Sequence, residues 1–152
     1  MSRMQALKVA LEHAEKERDA ALLAMQRAAA QLDAAQRQAT QLLDYRAEYQ
    51  QRWSAQFKRE GTIDILHCYQ NFMARLNTAI EQQQRIVEQA RLGHERSQEA
   101  LMERETRAAS IRKLIERRVT EQALAQERRE QKATDEQASR ISWTNRMHLL
   151  TA

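Results

Sequence analysis

Starting at Leu7 and stepping alternately by four and three residues, the chain places Leu7, Leu11, Ala14, Arg18, Ala21, Met25, Ala28, Leu32, Ala35, Ala39, Leu42, Arg46, Tyr49 and Trp53 on one line, and only two of these fourteen are charged. That spacing is a heptad seam, and a seam this long needs a partner helix to cover it. Twelve of the first forty residues are Ala, so the partner is expected to approach closely, near the short end of the ~8–10 Å range of packed helices. Ser2 and Gln5 have the spacing of a capping box, which starts the helix almost at the first residue. The break falls at Lys58-Arg59-Glu60-Gly61-Thr62. There Gly61 can take a left-handed cap conformation and Thr62 can cap the next helix.

A second line runs through Ile65, Tyr69, Phe72, Leu76, Ala79, Gln83, Ile86, Ala90 and Gly93, then less regularly through Leu101, Ala108, Ile111, Ile115 and Val119. A short link makes the two helices antiparallel neighbours. The predicted fold is all-α: one antiparallel coiled-coil hairpin over residues 1–152, with helix 1 at about 3–58, a turn at about 59–62, a longer helix 2 at about 63–140, and a flexible tail at about 141–152. Folding about Gly61 sets residues opposite when their numbers sum to about 122, which puts Gly93 across from Ala28, Ala29 and Ala30. Gly93 then reads either as a close backbone approach or as an ordinary surface position. At 1.5 Å per residue the helices span ~80 Å and ~115 Å, so about two dozen residues of helix 2 extend past the first.

Composition narrows this further. Two Gly, no Pro and 5% aromatics leave too few turn and strand formers for a sheet. Charges of +25 and −21 nearly cancel. Disorder is disfavoured by that balance together with 42% apolar residues. The cations are also spread: residues 1–60 hold ten basic and eight acidic groups, and residues 61–152 fifteen and thirteen. Nucleic-acid binding wants a one-sided cationic stripe, and interleaved charge is the pattern of a solvated coiled-coil face. A lone Cys68 allows no internal disulfide and no cysteine-based zinc site, which fits a reducing compartment. No apolar run approaches the ~20 residues of a membrane span, and the start lacks the apolar core of a signal peptide. The chain therefore reads as cytoplasmic and soluble, with peripheral membrane contact left open.

Chemistry has little to stand on. His13, His67, His94 and His148 are scattered, and His67 beside Cys68 points about 100° away from it with no third ligand within a turn. We expect no enzyme activity, no metal, no cofactor and no small-molecule substrate. The aromatics say more. Tyr45, Tyr49, Trp53, Phe57, Tyr69 and Phe72 are six of the seven in the chain, and the fold-back gathers them near the turn. With their aliphatic neighbours they cover arcs of about 160° and 140° on the two helices, wider than one seam needs. They form either a partner surface or a bulky knot that clamps the hairpin. On the first reading, truncating Tyr45 or Tyr49 costs little stability. At the far end, Glu127 to Lys132, Asp135 and Glu136 make a charged overhang, followed by Trp143. This is either a solvated helix end or a segment that inserts into a partner's pore.

The stretches Leu42-Leu43-Asp44-Tyr45-Arg46-Ala47-Glu48-Tyr49, Gly61, and Tyr69-Gln70-Asn71-Phe72 with Leu76, Ala79 and Ile80, followed by Gln131-Lys132, Asp135-Glu136, Ala138 and Arg140, resemble the flagellar type III export stalk family FliJ. The resemblance implies a non-enzymatic stalk and chaperone-escort component. Its chain ends enter the hexameric export ATPase, its turn region contacts the membrane export gate, and export chaperones are further partners. It also implies peripheral association with the cytoplasmic face of the inner membrane at the flagellar base. Carried over by motif, the gate-facing residues are Gln38, Leu42, Tyr45, Tyr49, Phe72, Leu76, Ala79 and Gln83, where Gln83 departs from the His associated with that position. The ATPase-facing residues are Gln131, Lys132, Asp135 and Arg140. The alternatives are a generic cytoplasmic coiled-coil scaffold and the equivalent stalk of a virulence injectisome; the Leu-Asp-Tyr and Tyr-Gln-x-Phe pairing leans flagellar.

Overall fold

A computed structural model describes residues 2–151. Two helices, α1 (Arg3–Arg59) and α2 (Ile63–Thr151), make up the fold, with no strand among the described residues. They pack antiparallel, as the pairing shows: Arg46 Nη1 donates to Asn77 Oδ1, Gln83 Nε2 to the carbonyl of Ala35, and Arg104 Nη1 to Glu17 Oε2. Each pair sums close to the ~122 expected for a hairpin with this link.

Both helix starts are built as their sequences dictate. Gln5 N–H donates to Ser2 Oγ and Ser2 N–H to Gln5 Oε1, each at 3.2 Å, which is the reciprocal capping box. Ile65 N–H donates to Thr62 Oγ1 at 3.3 Å and caps α2. The link itself differs from expectation. Gly61 does not take a left-handed conformation, since no glycine has positive φ. The reversal is instead made by Thr62 N–H, which donates to the carbonyl of Glu60 at 3.2 Å, while Glu60 N–H still bonds back to Gln56. An i to i+2 turn of this kind reverses the chain without a left-handed residue.

The contacts group into two compact units, Glu15–Glu105, and Met1–Ala14 with Thr106–Ala152. In the first, every seam position of α1 from Arg18 to Trp53 is buried or half-buried, as the sequence predicts. The α2 seam is more regular than predicted. Leu66, Tyr69, Met73, Leu76, Ile80, Gln83, Val87, Ala90, His94, Ser97, Leu101 and Arg104 alternate by three and four without a slip, and all are shielded. Ile86, expected in the seam, is half-exposed because this register gives the place to Val87. Gly93 makes no close approach either: a Cβ built on it would meet nothing within 4 Å.

In the second unit, Ala14 and Ala108 are buried, and Met4, Leu7, Leu11, Ile111, Ile115 and Arg118 are half-buried around them. Val119, expected on the seam, is exposed, and so is every described residue after it. The register explains this, because α1 begins at Arg3 and offers nothing opposite residues beyond about 119. α2 nevertheless continues to Thr151, where the sequence suggested a tail from 141. No Gly or Pro interrupts that stretch.

Candidate functional site

The first site lies in the unit Glu15–Glu105, next to the turn. Tyr45, Tyr49 and Trp53 repeat every four residues and so rise along one face of α1. Tyr69 and Phe72 meet them from α2. The Tyr49 ring is central: its centroid is 4.1 Å from Phe72, 5.7 Å from Trp53, 6.0 Å from Tyr45 and 6.3 Å from Tyr69. Trp53 and Tyr69 stand 5.3 Å apart. Beneath this ladder, Met73, Leu76 and Ile80 form the core, with Leu42, Tyr49, Tyr69 and Phe72 packed against it.

The eight residues expected to face the gate therefore divide. Gln38 is exposed, Tyr45 is 46% exposed, and Leu42, Tyr49, Phe72 and Ala79 are half-buried. Leu76 and Gln83 are buried, and Gln83 spends its amide on the Ala35 carbonyl at 3.0 Å. Neither offers its side chain to a partner. Tyr49, expected on the outward surface, is half-buried, and its ring packs against four others across both helices. Tyr45 is the ring that remains outward. Sequence reasoning missed a neighbouring groove of about 290 Å³ lined by Gln50, Trp53, Ser54, Phe57, Lys58, Leu66 and Tyr69. Its apolar floor was legible from the aromatic spacing, whereas Gln50, Ser54 and Lys58 carried no such signal.

The second site lies in the other unit, on the exposed part of α2. Gln131, Lys132, Asp135 and Arg140 are all exposed there, and Gln131 Nε2 donates to Asp135 Oδ1 at 3.1 Å along the helix. Threonines 134, 144 and 151 turn their hydroxyls back onto helix carbonyls. Charged partners are found mainly along each helix. Glu88 is held below the ordinary carboxylate range by the hydrogen bond from Arg91, whose own pKa is raised in return. Among the described residues no group of three His, Cys, Asp or Glu side chains could hold a metal, and no helix is long and apolar enough to cross a membrane.

Two helices folded back on each other, one carrying an unpaired extension, define an antiparallel coiled-coil hairpin whose distinctive features are surfaces. The family model of the flagellar FliJ protein matches residues 3–147. The chain belongs to that family, and with it to the non-catalytic components of flagellar protein export. No curated protein and no solved structure matches it.

Proposed function

We propose that this chain is the stalk of the flagellar export machine: its exposed α2 segment inserts into the hexameric export ATPase, its turn-proximal aromatic surface meets the membrane export gate, and it escorts export chaperones. The observation that carries this reading is the unpaired stretch of α2 after Arg118, a helix with no covering element among the described residues. Most helical stability in proteins comes from packing of a covered face, and a partner that surrounds this stretch supplies the cover that the hairpin lacks. Gln131, Lys132, Asp135 and Arg140 are the residues that face such a ring. On the other surface the gate contact centres on the exposed Gln38 and Tyr45 with the half-buried Leu42, Tyr49, Phe72 and Ala79, and Leu76 and Gln83 hold them from below.

Coupling of this sort requires that the stalk bind some states of the ring more tightly than others. Purified chain at saturating concentration is therefore expected to change the oligomeric state and turnover of the export ATPase, and a chain lacking residues 119–152 is not. Unchanged turnover with the full chain removes the ring-insertion reading. For the gate, Tyr45→Ala is expected to weaken binding about tenfold while the chain still melts cooperatively. Unaltered affinity in that variant rules out Tyr45 as the anchor.

A further inference from the structure

We propose that the last stretch of α2, from Arg140 to Thr151, is a binding surface for anionic lipid headgroups. Trp143, Met147 and Leu150 stand at i, i+4 and i+7, which places them in one stripe. They are 64%, 43% and 81% exposed, and nothing in the unit that contains them covers that stripe. Measured round the helix from Trp143, Arg140 and Arg146 fall about 60° to either side of it. The chemistry of the helix changes just before this point. From Glu127 to Glu136 acids and bases alternate, whereas from Gln137 to the C-terminus there are two Arg, one His and no acidic side chain.

An apolar stripe with a tryptophan, bordered on both sides by arginines, suits the boundary between headgroups and acyl chains. The indole and the aliphatic side chains enter the apolar layer, and the guanidinium groups reach sideways to phosphates. The stretch is too short and too polar to span a bilayer, in keeping with the absence of any spanning helix among the described residues. Pairing with a second copy is disfavoured by the same arginines, which would line both edges of both stripes with like charge. Because Arg140 also belongs to the ATPase-facing set, lipid and ring exclude one another at that residue.

The test is co-sedimentation of the full chain with vesicles of about one-third phosphatidylglycerol in phosphatidylcholine, against vesicles of phosphatidylcholine alone. We expect the chain to sediment with the anionic vesicles only and to be released by salt. Arg140→Gln with Arg146→Gln should weaken binding by about 25-fold, at roughly fivefold for each arginine. Trp143→Ser with Leu150→Ser should abolish it. Arg128→Gln with Arg129→Gln removes the same charge outside the stripe and should bind as the parent does. Circular dichroism is expected to show every variant as helical as the parent. The proposal is overturned if no vesicle is bound, if the 128/129 pair loses as much as the 140/146 pair, or if the Trp143/Leu150 pair still binds. It is overturned equally if that last pair changes only the mass of the chain in solution, which would make the stripe a contact between copies.

Discussion

Gln83, buried on α2, donates its side-chain amide to the main-chain carbonyl of Ala35 on α1 at 3.0 Å, and it is the buried polar side chain in an otherwise apolar stretch of the seam. A polar residue at one seam position fixes register and pairing at a cost in stability. We expect Gln83→Leu to raise stability toward denaturant by about 1 kcal/mol and to broaden the distribution of oligomers seen by light scattering. A loss of stability in a monodisperse variant would show that the hydrogen bond contributes more than the apolar packing that replaces it.

Tyr49 and Tyr45 lie one helical turn apart and should behave oppositely. Tyr49→Ala opens a hole among four rings, at a cost of about 3 kcal/mol. Tyr45→Ala gives up ring contacts only at 6.0 and 6.2 Å on a half-exposed side chain, at a cost of about 1 kcal/mol. Urea melts of the two variants measure the difference.

The glycines give a paired prediction. Gly93→Ala adds a methyl into open space on a helix and should stabilise by about 1 kcal/mol. Gly61→Ala brings its Cβ to 3.2 Å from the carbonyl oxygen of Phe57 and should bring no such gain. Thermal melts that rank them the other way would mean that the helix is distorted at 93.

Arg104 and Glu17 form an ion pair between the helices at 3.0 Å, with side chains about one-third exposed. Glu17→Gln is expected to cost about 0.5 kcal/mol at low salt and close to nothing in molar salt. The Glu88–Arg91 pair is about half exposed, and its sign is fixed by the lowered carboxyl. What it contributes is present above the ordinary carboxylate pKa and fades as pH falls through the lowered one.

Removing residues 119–152 should leave the cooperative melt of the hairpin essentially in place, because every described residue in that stretch is exposed. A large fall in melting temperature on this truncation would place hidden packing there.

The first helix was legible because its seam residues are apolar almost throughout, so the four/three alternation stands out from Leu7 to Trp53. The second was only partly so. Where two apolar residues stand side by side, as at Ile86 and Val87, spacing alone does not say which one is covered. Beyond Ala90 the seam passes through His94, Ser97 and Arg104, polar residues that give no hydropathy signal, so that stretch looks irregular. At the turn, spacing alone gave the width of the aromatic surface. Which ring is surrounded and which faces outward depends on Tyr69 and Phe72 arriving from α2, a tertiary fact. The link at Gly61 was misjudged for a local reason: a glycine permits a left-handed conformation without requiring one.

The link of Glu60, Gly61 and Thr62 joins two strictly periodic seams with no slack, and this has a bearing on how such a chain can be lengthened or shortened. An insertion in one arm alone would rotate every later seam residue off its partner or, for a whole heptad, slide it two turns past that partner. Seven residues added to both arms would keep every pairing and move the aromatic ladder by about 10 Å. Arm length is thus a quantised property, adjustable only in matched heptads, and the hairpin is built like a ruler with fixed graduations.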